Sequence, residues 1–526
     1  MSDLEVARSA TLRPIEEIAA GLGLLPEEVD LRGRHVANVR PAALDRMAAR
    51  PAGRSILVTA MTPAPSGEGK TTTAIGLAQA LNRIGVRAAV ALRQPSLGPV
   101  FGTRGGAAGG GRCQVVPLEA MNLHLTGDSH AVTLAQNLAA AFLDNHLARG
   151  NALEINPAGI EWPRTIDVND RALATTTPGG WVACAASETM GILSLARDLP
   201  DLRARLGRAV AGTRTDGSPV TMEDLHVAGA MAALLRDALG PNLLQTLEGG
   251  PALVHGTSYA HLALGSCSVA ADRLGGQLAD AVVTESGYGA DLGAEKYFDI
   301  KCRGSGLVPS AAVLVATVRG VRTHGPENLA KQIENVRLFG VPVIVAVNPF
   351  PGNTAADLET VIREALRAGA RDALVGHHHA RGGEGAVDLA RAVWSAAGDG
   401  GTGFQLLYPD DLPLAEKVET IARRVYGAAG VDYSPEARGR LAELEQAGFG
   451  GLPICVAKTP YSLSHDPALA GRPTGFRLPV RAIRLAAGAG YVTAVAGDVR
   501  FMPGLPERPG GEAIDIDAAG EIVGLA

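Results

Sequence analysis

One stretch constrains this chain more than any other. The short apolar run Arg54–Ala60 (RSILVTA) is followed by the turn-rich segment Ala64–Thr71 (APSGEGKT) and then by a helix-forming segment from Thr71 to Ile84. A brief run of β-branched and apolar residues reads as a buried strand. Gly67 and Gly69 allow successive backbone N–H groups to turn inward around an anion. The helix behind them points its positive end at the same place. The pattern is that of a Walker A phosphate loop with Ala64 in place of the first glycine. On this reading Ala64, Pro65, Ser66, Gly67, Glu68, Gly69, Lys70, Thr71 and Thr72 surround the phosphates of ATP. Lys70 reaches the β- and γ-phosphates, and the Thr71 hydroxyl binds Mg²⁺ through the nucleotide.

A second buried strand is expected at Val86–Leu92, which makes a strand–loop–helix–strand unit and therefore a parallel sheet. Further apolar runs predict strands at 251–254, 280–284, 311–318 and 341–347. Helical periodicity predicts helices at 131–148, 187–206, 222–239, 327–339 and 355–368. The fold class is α/β: a P-loop NTPase-like, mostly parallel sheet flanked by helices, with additional smaller α/β domains. A chain of 526 residues exceeds a single core. Residues 1–347 are expected to form the nucleotide-binding and catalytic region, with an inserted subdomain around 112–240. Residues 348–526 are expected to form a C-terminal α/β region that helps bind nucleotide and acceptor.

Composition removes several classes of function. A net charge of -6 argues against a nucleic-acid partner. No apolar run approaches the ~20 residues that span a bilayer, and MSDLEVARSA lacks a signal core. The cysteines, Cys113, Cys184, Cys267, Cys302 and Cys455, form no CxxC pair. This argues against a zinc ribbon and fits a reducing, cytoplasmic setting. Basic residues number 48, yet only Lys70, Lys296, Lys301, Lys331, Lys417 and Lys458 are lysine. Where Lys persists against such an Arg background, a compact ammonium is favoured over a planar fork.

The second strand runs into Arg93-Gln94-Pro95. Ligands of open α/β sheets sit at the carboxyl ends of strands. Arg93 is therefore placed either to clamp a carboxylate or transferring phosphoryl group, or to form a structural ion pair. The glycines of Gly105–Gly111 serve close backbone approach to a ligand or a hinge. His124 either moves or positions a proton, or is a hydrogen-bonded structural histidine. Gly287, Gly289 and Gly293 suggest a tight loop near the nucleotide, with Lys301 and Arg303 adding charge near phosphates. His377, His378 and His379 are adjacent on one loop, an arrangement that rarely converges on one metal ion.

The segments TPAPSGEGKTTTAIGLAQAL, RQPSLGPVFGTRGGAAGGG, NLHLTGD, QTLEGGPALVHG, VVTESGYGADLGAEKYFDIKCR, LPICVAKTPYSLSHDP and MPGLP together resemble the formate–tetrahydrofolate ligase family. The resemblance runs from about Pro14 to the C-terminus. It implies that ATP phosphorylates formate to formyl phosphate, whose carbon is then attacked by an amine of tetrahydrofolate as phosphate leaves. It implies Lys70, Arg93 and His124 as catalytic residues, and Phe350 with His379 as the pair flanking the folate. Mg²⁺, a monovalent cation (K⁺ or NH₄⁺) and a homo-oligomer, dimer or tetramer, are carried over as expectations. Several positions depart from the family pattern, near Cys113, Leu264 and Cys267 among them, and two bear on the site. Gln94 stands where the family has Glu, and His379 stands where it has Trp. Two alternatives therefore stay open: a related acyl-phosphate-forming ligase with a non-folate amine acceptor, and a non-catalytic ATP-binding paralogue.

Overall fold

The computed structural model describes residues 2–64, 67–102, 108–175, 179–398 and 402–525. Pro65, Ser66, Gly105, Gly106 and Ala107 lie outside these described residues. The main sheet contains strands β1 (Val29–Leu31), β2 (Ala37–Val39), β3 (Arg54–Ala60), β4 (Ala88–Leu92), β5 (Asn242–Thr246), β6 (Pro251–Val254), β7 (Ala281–Glu285), β8 (Pro309–Ala316), β9 (Val343–Val347) and β10 (Asp372–Val375). Their spatial order is β1-β2-β5-β6-β4-β7-β3-β8-β9-β10. From β6 to β10 every pairing is parallel, and β1, β2 and β5 extend the sheet antiparallel.

The continuous apolar runs follow from burial on both faces. In β3, Ile56 and Val58 pack into one core while Leu57 packs into another on the opposite face. The helix after β3, Lys70–Arg83, covers the first of these faces with Ile75, Leu77 and Leu81. After β3 the chain crosses over β7 to reach β4, whereas β7 leads on to β8 on the far side of β3. The direction of winding thus reverses at β3 and β7, the point where such sheets open a crevice.

Two smaller assemblies flank this sheet. Within 112–240, the antiparallel strands Ile155–Ile160, Val210–Arg214 and Pro219–Thr221 pack with helices Asp128–Ala148, Glu188–Leu195, Leu199–Arg208 and Ala228–Leu235. Further on, a four-stranded sheet takes the order Gly430–Tyr433, Arg477–Ala486, Tyr491–Ala496, Ile454–Ala457. Its Val456 and Val492 share a core with Leu314 and Val345 of the main sheet. The expected division at 347/348 cuts through the main sheet, because Asp372–Val375 pairs with Val343–Val347. The short run DALV is too brief to stand out as a strand from sequence alone.

Further elements differ from expectation: the helix expected at 187–206 is two, Glu188–Leu195 and Leu199–Arg208, and the one expected at 222–239 is Ala228–Leu235. Of the glycines expected to form a tight loop, Gly287 and Gly289 lie in the turn after β7, whereas Gly293 falls within the wide-turned helical segment Ala290–Ala294, which Tyr297–Cys302 follows. The helix expected at 327–339 begins near Val318. Thr317 caps it by accepting from Gly320 N at 2.8 Å. Gly325, at φ +75°, and Pro326 then kink it.

Candidate functional site

The carboxyl ends of the parallel strands are where the polar residues gather. Arg93 follows β4, His255 follows β6, Glu285 ends β7, Thr317 follows β8 and Asn348 follows β9. The phosphate loop follows β3 in the middle of this row.

Gly67 and Gly69 both adopt left-handed backbone, at φ +77° and +80°, which a side chain would oppose. The loop's outward carbonyls are tied down by neighbouring strand ends. Asn348 Nδ2 donates to Glu68 O at 3.0 Å and to Thr73 Oγ1 at 3.0 Å. An Arg319 N–H donates to Gly67 O. Glu68, counted among the nucleotide contacts from sequence, is buried. Its carboxylate accepts from Ala64 N at 2.8 Å and from the Thr317 hydroxyl. The Glu68 side chain therefore braces the loop. Thr73 donates to Gly69 O at 2.9 Å, and His378 Nε2 lies 3.1 Å from its hydroxyl oxygen. With that hydroxyl proton already engaged, His378 is the donor. Burial pulls its pKa down to about 4, so it is neutral at pH 7.

The central contact of the site involves one buried carboxylate, Glu285. Thr71 Oγ1 donates to its Oε2 at 2.7 Å, and the Arg93 guanidinium approaches its Oε1 at 3.6 Å. Arg93 Nη1 also donates to Ser258 O at 2.8 Å, while its buried Nε has no acceptor among the described residues. The guanidinium is thus oriented with donor capacity left over. It lies against Gly287, where an added Cβ would sit 3.2 Å from Nη2 and 2.7 Å from Ala260 Cβ. Tyr288 beside it holds φ +59°, a sparsely populated conformation for a bulky residue and one that clusters at functional sites. Its ring stands edge-on to His261, which stacks on Tyr259.

His124 stands in an adjoining cleft of about 190 Å³, lined in part by Gln94, His130 and Asp167. Asp167 accepts from Ser96 Oγ at 2.6 Å, and burial raises its pKa to about 6. Gln94 is buried. Its Nε2 donates to Leu123 O at 3.4 Å, and its Oε1 has no donor among the described residues. Phe350 is 37% exposed and carries the Arg319 guanidinium 4.5 Å from its ring centroid. His379 is exposed and rests against the glycine hairpin at Gly110–Gly111, accepting from Arg112 N at 2.8 Å through its carbonyl. Phe350 and His379 make no ring contact with one another.

Several expected site residues are placed elsewhere. Lys301 is buried on Asp272 and Cys267 O, both at 2.6 Å. Arg303 is engaged with Asp299, Asp410 and Tyr408. Among the described residues, no group of three or more His, Cys, Asp or Glu is arranged to hold a metal ion. Conversely, the sequence reading gave Glu285, Arg319 and Asn348 no part in the phosphate loop. Their signal was available, because each ends or closely follows a buried apolar strand run.

A parallel sheet with a braced phosphate loop at its switch point, and an Arg and a carboxylate on the flanking strands, defines a P-loop nucleotide-binding α/β protein. Comparison with known proteins narrows this class. The formate–tetrahydrofolate ligase family profile matches residues 1–526. A formate–tetrahydrofolate ligase of Roseiflexus castenholzii is 51% identical, with 100% of both chains covered. One from Paracoccus denitrificans is also 51% identical over 100% of both chains. One from Saccharopolyspora erythraea is 50% identical over 563 aligned positions, covering 100% of this chain and 99% of its own. The chain belongs to the formate–tetrahydrofolate ligase family.

Proposed function

We propose that this protein joins formate to tetrahydrofolate at the expense of ATP, through formyl phosphate. The observation that carries the reading is the convergence of Thr71 and Arg93 on Glu285. It brings the phosphate loop and a carboxylate-clamping guanidinium to one place, as phosphoryl transfer onto a small acid requires. Formate is a resonance-stabilised and poor electrophile; as a mixed anhydride with phosphate it gains a good leaving group. Lys70 and the helix end bind the nucleotide's terminal phosphates. Arg93 has an unused donor with which to hold formate and then the charge that develops on the transferring phosphoryl group.

A carboxylate 2.7 Å from the P-loop threonine would repel a triphosphate by itself. Thr71 and Glu285 offer the hard oxygen donors that Mg²⁺ takes, and they would hold it. Bound there, Mg²⁺ neutralises phosphate charge. In the second half-reaction the folate amine attacks the formyl carbon and phosphate departs. His124 and Asp167 border the cleft beside Gln94 and are the groups available to take the proton that the amine loses. Phe350 offers an exposed ring for the folate, and His379 an imidazole in the family's Trp position. The family resemblance extends the reading to K⁺ or NH₄⁺ dependence, a homo-oligomer and a cytoplasmic location. Light scattering and a K⁺ titration of turnover test the first two.

The deciding experiment measures ADP release with ATP and formate, with and without tetrahydrofolate. Folate-dependent turnover with 10-formyl product supports the reading. Formate-dependent turnover indifferent to folate transfers it to another amine acceptor. No response to formate ends it.

A further inference from the structure

Arg319 makes two contacts that join parts of the site otherwise carried on different strands. It lies just after β8, at the start of the helix that Thr317 caps. One N–H donates to Gly67 O in the phosphate loop, and the guanidinium carbon lies over the Phe350 ring, 4.5 Å from its centroid. Phe350 sits in the loop after β9, fixed by its own N–H to Asn353 Oδ1 at 2.8 Å. Arg319 Nε is buried with no acceptor among the described residues. Among the described residues, no other hydrogen bond from its guanidinium competes with these two contacts.

We propose that Arg319 is a positioning residue that couples occupancy of the phosphate loop to binding of the acceptor on Phe350. When phosphates fill the loop, its N–H groups turn inward and the opposite carbonyl of Gly67 is fixed toward Arg319. The guanidinium is then held over one face of Phe350, which leaves the other face presented to a planar ring. With the loop empty, Gly67 O is less constrained and the stack is less often complete. Coupling between two ligands is reciprocal, so each would tighten the other. This inference rests on Phe350 lying at the acceptor site.

The test measures tetrahydrofolate binding to the full chain by calorimetry, with and without a saturating non-hydrolysable ATP analogue and Mg²⁺. The wild type is expected to bind tetrahydrofolate at least ~5-fold more tightly with the analogue, at the lower end of ordinary allosteric coupling. Arg319→Lys keeps a donor for Gly67 O but loses the guanidinium over the ring. It is expected to keep nucleotide affinity within about 3-fold while its coupling falls below about 2-fold. Arg319→Gln should lose the coupling as well. A merely structural role would lower both affinities together and leave their ratio unchanged. Wild-type coupling below about 2-fold, or full coupling in both variants, overturns the proposal. Phe350→Leu separates the two readings. If it leaves tetrahydrofolate affinity unchanged, the acceptor assignment is wrong and the coupling goes with it. If affinity falls while the Arg319 variants couple normally, only the coupling is wrong.

Discussion

The six lysines show how one residue type takes two meanings. Five of them, Lys296, Lys301, Lys331, Lys417 and Lys458, are buried, and each ammonium donates to backbone carbonyls, in three cases with a carboxylate as well. Lys417 meets three carbonyls, Asp410 O, Gly450 O and Leu452 O, at 2.7, 2.8 and 3.1 Å. A tetrahedral ammonium fits such a cage and a planar guanidinium does not. The Arg-for-Lys background correctly marks positions where a compact ammonium is needed, but at these five the need is structural. Lys417→Arg is therefore expected to cost about 2 kcal/mol through overpacking and lost hydrogen bonds. A thermal melt would show a lowered Tm, and an unchanged Tm would refute the cage. His378 belongs to the same scale. Its pKa is near 4 in the folded chain against an ordinary 6.5, so the unfolded chain binds the extra proton first. Stability therefore rises with pH across that window and is lost as pH falls from 6.5 towards 4. The loss attributable to this group by pH 5 is about 2 kcal/mol. His378→Gln should show a smaller drop in Tm between pH 7 and pH 5 than the wild type.

Elements matter here mainly through their ends. Strands β4, β6 and β9 are apolar throughout and each is followed directly by one polar side chain, Arg93, His255 or Asn348, so the site is assembled by sheet order. Glu285 reaches Thr71 because β7 lies directly against β3, with Glu285 level with Val58. Glu285→Gln keeps the shape and the acceptor for Thr71 but removes a charge. The variant should need roughly 10-fold more Mg²⁺ for half-maximal nucleotide binding, the low end of the effect of altering groups around a metal. Equal Mg²⁺ dependence in both proteins would remove Glu285 from the metal's surroundings. Gly287 lies just beyond that strand end. The Cβ introduced by Gly287→Ala would press on both Ala260 and Arg93. Turnover should fall at least ~10²-fold through a misplaced guanidinium, with a circular dichroism spectrum like that of the wild type.

At the scale of the whole molecule, the C-terminal sheet is attached to the main one by shared core and by buried charge. Lys458, just after Ile454–Ala457, pairs with Asp291 at 2.9 Å, and both side chains are buried. Removing one partner of such a pair leaves an uncompensated charge and costs about 3–5 kcal/mol. Lys458→Met is expected to lower Tm and to speed limited proteolysis of the C-terminal region. Retention of wild-type resistance would show that the shared core around Val456 and Val492 suffices. No helix among the described residues is long and apolar enough to cross a membrane.

The sequence by itself determined the strand–turn–helix around Gly67 and Gly69, the apolar strands beside it and the family, because these depend on local spacing and on long contiguous motifs. β3 was expected at Arg54–Ala60 and is found there, and Lys70–Arg83 follows within a residue of its expected start. What only the tertiary structure decided was which distant residues meet. Glu285 is more than two hundred positions from Thr71, and Arg319 and Asn348 lie further still. No periodicity encodes such meetings, because strand order is set by how the helices and the two flanking assemblies pack. The same physics takes Lys301 and Arg303, expected to add charge near phosphates, into ion pairs with Asp272 and Asp299.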